Sequence, residues 1–338
     1  MTTPRKHSIL SLIPLFEVMS EKGLDPEPLL SRHKIDLSSM SGTALIDADV
    51  EERIMLDALA LLNDPLIGLK VGSQSTFASF GTFALLIMTA PTFREAVTEA
   101  VQFQALSLLL MTYTLHYEKD YFELRYTLPQ SHPSLLPFIA DRDFAGSFMF
   151  MRELIDNPRS YLMGCGVARP TPGRELRALY REIAQTEPEF DQPYSWFRLP
   201  TRLLGQKLKH ANILAHKLYR VQAQELLRRF FPGSDDTLTQ VRQIIAGYDS
   251  HLPSAADVAT HLGLSERTLR RKLDSEGKTF RGLMDEHRRK RAINLLMTED
   301  LPVAQIAEAL GYTESASFIR AFKRWTGMSP RQYMQQQS

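Results

Sequence analysis

The sequence holds a single cysteine, Cys165, among its 338 residues. No intrachain disulfide can form, and a reducing cytosol is the natural compartment. Burial as an inert thiol is the expected state of Cys165, with a redox switch as the alternative. Long apolar runs are also missing, since none reaches the roughly 18 residues that a membrane span needs. Ile9-Leu10-Ser-Leu12-Ile13-Pro-Leu15-Phe16 after Arg5-Lys6 has the look of an export signal. It lacks a small-residue cleavage site, and Glu17, Glu21 and Lys22 continue it with helical spacing, so it reads as a first amphipathic helix. Charge of one sign is scarce as well: 40 Lys+Arg face 39 Asp+Glu. Residues 234–338 carry 15 basic and 13 acidic side chains, and the remainder 25 and 26. A sequence-indifferent architectural DNA protein needs a strongly basic surface, so this balance argues against that class.

Catalytic signatures are absent too. Ser31-Arg-His-Lys34 and Ser275-Glu-Gly-Lys278 satisfy S-x-x-K, but the Ser-Asp-Asn and Lys-Thr-Gly partners of that machinery are missing. There is no G-x-S-x-G, H-E-x-x-H, Walker loop or G-x-G-x-x-G, and Gly164-Cys165-Gly166 alone specifies nothing. The nine histidines show no zinc-ligand spacing with the sole cysteine. No catalytic residue, metal or cofactor is expected, although a catalytic or effector-independent amino-terminal domain fused to another module remains the alternative.

What is present is a degenerate repeat. Asp257-Val-Ala-Thr-His-Leu-Gly263 recurs 48 residues later as Gln305-Ile-Ala-Glu-Ala-Leu-Gly311, each followed by a basic segment. Ala259 and Ala307 let a second helix pass close, and Gly263 and Gly311 supply the positive φ of a tight turn. Two helix-turn-helix units in tandem are the reading. In the first, Leu269 and Leu273 share the buried face of a helix over 265–275, and Arg267, Arg270, Arg271 and Asp274 fall on or near the opposite face. Arginine there can bond guanine bidentately or pair with phosphate. Glu266 and Arg270 have the order that favours a helical ion pair, which ranks Arg267 and Arg271 above Arg270 for base contact. In the second unit Phe318 and Phe322 set the buried face and aim Ala316, Arg320 and Lys323 outward, with Ser315 and Ile319 on the flanks. Ser315 and Ser317 either touch DNA or cap the helix. Lys323, Arg324 and Arg331 suit phosphate, with a plain solvated face as the alternative.

Around these units the chain reads as two domains: 1–230, a Pro-Gly-Ser-Asp linker at 231–235, and 236–338. The first shows short helices over 8–22, 25–33, 49–63, 80–90 and 92–107, then a hairpin over 109–117 and 121–128, a helix over 137–156, further strands over 161–168 and 195–199, and a long helix over 212–230. That mixture predicts an α+β domain. The second reads as helices throughout: 236–248, 254–262, 265–275, 279–298, 302–310, 314–326 and a turn after Ser329-Pro330, with 279–298 as a rigid connector.

Gly311-Tyr312, Ser317-Phe318-x-Arg320-x-Phe322-Lys323 and Gly327-Met-Ser-Pro330-x-x-Tyr333 resemble the signature of the AraC/XylS family of bacterial transcription regulators. Ser265-Glu-Arg-Thr-Leu-Arg-Arg-Lys-Leu273 fits that family's first recognition helix. The resemblance implies seven helices whose two recognition helices enter successive major-groove segments of double-stranded DNA. It carries base-reading positions onto Arg267, Arg270 and Arg271, and onto Ser315, Ala316 and Arg320; Ala316 stands where a polar residue is frequent and offers at most a methyl contact to thymine. The amino-terminal region is similar to the sensor of the ornithine-regulator branch through Gly81-Thr-Phe-Ala-Leu-Leu, Pro91-Thr-Phe-Arg-Glu-Ala96 and Phe190-Asp-Gln-Pro193. That implies an effector-binding, dimerising module. Its aromatic content (Phe77, Phe80, Phe83, Phe103, Tyr113, Phe144, Phe148 and Phe150 among others) suits ordinary core. It also suits a small organic effector, apolar or amino-acid-like, oriented by a few polar groups such as His116, Arg125 or Tyr126. The plainer reading of His116 and His132 is a surface or satisfied-core histidine. The expected protein is a cytoplasmic, non-enzymatic regulator that binds promoter DNA, an effector, RNA polymerase and a second copy of itself.

Overall fold

A computed structural model describes residues 6–36, 44–75, 80–230, 237–246, 253–262, 264–298 and 302–337. The linker expected at 231–235, the turn at Gly263 and Phe77 lie outside the described residues. The main division of the chain falls between residues 231 and 232.

The first unit opens with β1 (Lys6–Ser8), followed by α1 (Ile13–Glu21) and α2 (Glu27–Arg32). β2 (Leu45–Asp47) pairs antiparallel with β1, with Lys6 opposite Asp47. Then come α3 (Ala48–Leu62), α4 (Ile67–Ser73), α5 (Gly81–Met88) and α6 (Phe93–Gln102). β3 (Thr112–Tyr117) and β4 (Tyr121–Thr127) form the expected hairpin, followed by α7 (Leu136–Leu154), β5 (Gly164–Gly166), α8 (Arg174–Ala184), β6 (Ser195–Pro200) and α9 (Ile213–Phe230). The main sheet runs β3-β4-β6-β5, with Tyr126 opposite Ser195 and Cys165 opposite Phe197. Phe122, Leu124 and Tyr126 alternate along β4 and are buried, because successive strand residues point to opposite faces.

α7 packs on α4 at unusually close range. A methyl group at Gly72 would stand 2.2 Å from the Arg142 carbonyl oxygen, and one at Gly68 would stand 2.6 Å from Asp141 Cβ. Two glycines one turn apart therefore let the backbones meet. Mid-helix, α7 buries three consecutive charged residues, Asp141, Arg142 and Asp143. Each is compensated. Asp141 accepts from Arg169 and the Tyr180 hydroxyl. Arg142 donates to the carbonyls of Ser11 at 3.2 Å and Leu108 at 2.6 Å and lies 3.2 Å from Asp143. Asp143 accepts the amides of Leu110 and Met111, both at 2.7 Å. This last pair explains why β3 begins at Thr112 rather than 109: the preceding amides are given to a carboxylate instead of a neighbouring strand.

The second unit comprises α10 (Thr237–Ala246), α11 (Ala255–His261), α12 (Glu266–Ser275), α13 (Phe280–Thr298), α14 (Val303–Ala309), α15 (Ser315–Thr326) and α16 (Pro330–Gln337). No strand occurs among its described residues. It has two cores. Val241, Ile244, Val258, Leu269, Leu273 and Leu283 make one, and Ala292, Leu296, Ile306, Phe318 and Phe322 centre the other. The 19-residue α13, about 28 Å long, feeds its first turns to one core and its last turns to the other.

Candidate nucleic-acid interface and sensor cavity

α12 is started by Ser265, whose side chain accepts the Thr268 amide at 3.1 Å, with Glu266 in the first turn where the helix dipole favours an acid. Leu269 and Leu273 are fully buried, as their spacing predicts. Arg267, Arg270, Arg271 and Lys272 are exposed on the remaining faces. The Glu266–Arg270 ion pair allowed by the spacing does not form. An exposed pair gains little against the freedom of two long side chains, so Arg270 stands as open as Arg267 and Arg271. None of the three carries an ion pair or hydrogen bond among the described residues.

The turn into α15 contains Gly311 at φ +77°, the left-handed conformation that its place in the repeat requires. Phe318 and Phe322 are fully buried, and Ala316, Arg320, Lys323 and Arg324 are exposed. Arg331, on α16, is also exposed. Glu314 occupies the N-cap position without a side-chain cap, so Ser315 does not cap the helix. Two of the named residues are engaged locally: Ser317 Oγ accepts from Arg320 at 3.2 Å, and Arg324 donates to Asp285 of α13 at 3.1 Å. α13 also holds this unit by Arg291, which donates to the Ala309 carbonyl at 3.0 Å, and by Arg288, which lies over the Tyr312 ring. Toward the first unit of the repeat, Glu286 accepts from Lys278 at 3.0 Å and Arg242 at 2.9 Å, and those cations hold its carboxyl below the usual range. The geometry thus presents two helices, each with an apolar anchor on one face and exposed cations on another, braced by a common rod.

In the sensor, the residues expected to orient an effector are split by strand parity. Tyr126 faces inward and lines a cavity bounded by α5, α6, α7 and the β3–β4 hairpin. Arg125, its neighbour, faces the other way, donates to Glu123 at 2.8 Å and lies over the Tyr194 ring. His116 is on the opposite side of β3 from the cavity-lining Tyr113 and pairs with Glu118 at 2.8 Å. His132 accepts the Ser134 amide at a helix start, as a surface histidine. Phe80, Phe83 and Phe150 line the cavity; Phe103, Phe144 and Phe148 are ordinary buried core. Sequence reading missed Ser147 and Ser107, both on the wall. A small polar residue four positions after Asp143 on an otherwise apolar helix face is the signal that marks Ser147. Cys165 is buried, and burial pushes its thiol up to about 12. No group of three or more candidate metal ligands occurs among the described residues, and no described helix is long and apolar enough to cross a membrane.

Residues 23–208 match the model of the arabinose-binding amino-terminal domain of AraC transcription regulators, and residues 258–336 match a helix-turn-helix domain model. The chain is 26% identical over 323 residues to the ornithine utilization regulator of Pseudomonas aeruginosa, covering 94% of this chain and 93% of that protein. It is 27% identical over 333 residues to the uncharacterized HTH-type transcriptional regulator Rv1395 of Mycobacterium tuberculosis, covering 97% and 96%. Among solved structures it is similar to the transcriptional regulator CdpR of Pseudomonas aeruginosa, at TM-score 0.48 and 23% identity over 96% of this chain and 98% of the other.

Proposed function

The chain belongs to the AraC family of transcription regulators, and on that footing we propose that α12 and α15 read two successive major-groove segments of promoter DNA. Arg267, Arg270 and Arg271 contact bases from the first helix; Arg320, Ser315 and Ala316 do so from the second. Lys323 and Arg331 meet phosphate, and so do Arg324 and Ser317 when DNA outcompetes their present partners. The observation that carries this reading is the pairing, twice over, of a fully buried anchor (Leu269 with Leu273, Phe318 with Phe322) with exposed arginine on another face. Bidentate arginine-to-guanine contact needs a guanidinium group free to turn toward the base, as Arg267, Arg270 and Arg271 are; Arg320 must first release Ser317.

The sensor controls this activity by giving a small organic effector, apolar or amino-acid-like, different affinities for two states of the protein. Regulation works through contact with RNA polymerase in the cytoplasm, without catalysis. The exposed aliphatic stripe Leu214, Leu218 and Val221 on α9 supports a homodimer. Footprinting of the full-length protein on genomic sites selected by its own binding tests the DNA reading. Protection of two groove segments about 10 base pairs apart per protomer is expected; protection of one segment only would remove α15 or α12 from the interface. Effector control is tested by transcription from such a promoter with and without metabolites of the neighbouring genes.

A further inference from the structure

The sensor cavity has a chemistry of its own. Its free volume is about 60 Å³, room for roughly four to six water-sized groups. Phe80, Phe83, Phe93 and Phe150 supply aromatic walls, and no lining residue is charged. Polar side chains enter only as four hydroxyls: Ser107, Tyr113, Tyr126 and Ser147. Burial raises both tyrosine phenols, that of Tyr126 to about 12, so both remain neutral. Ser147 is 5% exposed, and among the described residues its Oγ meets the Tyr126 hydroxyl at poor hydrogen-bond geometry. The hydroxyl pair keeps donor and acceptor capacity that a polar ligand atom can take up.

We infer that the effector is a small uncharged molecule, an aromatic or compact aliphatic body bearing one hydroxyl or carbonyl, seated with that polar atom at Ser147 and Tyr126. This deepens the effector-control reading and rests on it. An ammonium or carboxylate carried into these walls would lose its hydration with no counter-charge to meet it. A polyol fares no better, because each hydroxyl needs a partner and the walls offer few.

Four probes separate the classes by thermal shift and calorimetry on the full-length protein: phenol, toluene, benzoate and L-ornithine. Phenol and toluene are expected to bind, phenol about five- to tenfold tighter through its single hydroxyl. Benzoate and ornithine are expected to give no shift. Ser147→Ala should remove the preference for phenol and leave toluene within about twofold, as loss of one net hydrogen bond implies. Gly146 lines the cavity, and a Cβ there meets only ordinary contacts at 3.6 Å; Gly146→Ala should keep the fold and weaken binding of both. Benzoate or ornithine binding that Gly146→Ala weakens would overturn the uncharged class and leave effector control intact. If no probe binds, the inference fails; a promoter response to metabolite extract then decides whether effector control survives it.

Discussion

Arg324 of α15 donates to Asp285 of α13 at 3.1 Å, so a cation proposed to meet phosphate is held by the rod that joins the two helix-turn-helix units. With Arg324 57% exposed, the pair contributes at most about 1 kcal/mol to stability. Its effect is to orient α15. Asp285→Ala and Arg324→Ala should therefore each weaken DNA binding, and the double variant should lose less than the sum of the two. Operator affinities in a double-mutant cycle measure this coupling. Additive losses would mean that Arg324 acts on DNA independently of Asp285.

Arg267→Ala, Arg270→Ala and Arg271→Ala are each expected to cost about 1–3 kcal/mol on the specific site and to relax preference at one base position. Lys323→Ala should weaken specific and nonspecific binding alike and lower the salt slope by about one. Selection of bound sequences from a random pool by each variant reads out the difference. An unaltered consensus after all three arginine substitutions would make them phosphate contacts.

In the sensor, Gly72→Ala places a methyl group 2.2 Å from a backbone oxygen of α7. A core forced apart this way loses about 1–3 kcal/mol or more. Gly146→Ala, whose new Cβ lies 3.6 Å from its neighbours, should be tolerated. Urea midpoints of the two variants, measured side by side, test whether the α4–α7 contact is as tight as described.

Asp141 supplies a pH dependence. Burial pushes its carboxyl from 3.8 up to about 6, against the opposing pull of Arg169 and Tyr180. The folded chain then keeps a proton that the unfolded chain releases from about pH 4 upward, so this group's contribution to stability falls as pH rises from 4 to 6 and is constant above. The difference amounts to roughly 3 kcal/mol. Asp141→Asn should gain on the wild type across that window in urea titrations at pH 4, 5, 6 and 7. A constant difference would show that Arg169 keeps the carboxylate ionised throughout.

The DNA-binding unit was legible because its helices are signalled locally. Leu269 with Leu273 and Phe318 with Phe322 repeat at helical spacing, and Ser265 and Gly311 mark a start and a turn. The sensor was legible only in part. β1 and β2 are three residues each, too short to show alternation, and their pairing spans some forty positions. α4 carries two glycines in seven residues and reads as loop until α7 is seen against it. Arg125 and Tyr126 looked equivalent as candidates, yet adjacent strand residues point to opposite faces. Which face is the interior was decided by α6 and α7, residues remote in sequence.

The two cores drawn from opposite ends of α13 make helical phase a constraint on which promoters this protein can serve. One residue inserted between Leu283 and Ala292 would turn α15 by about 100° around the rod while advancing it only about 1.5 Å. With α12 and α15 both reading DNA as proposed, a single insertion cannot lengthen the reach between half-sites; it points α15 away from the duplex. Changes of spacing must come in whole helical turns or be absorbed by bending of the DNA, which ties the separation of target sequences to the length of one helix.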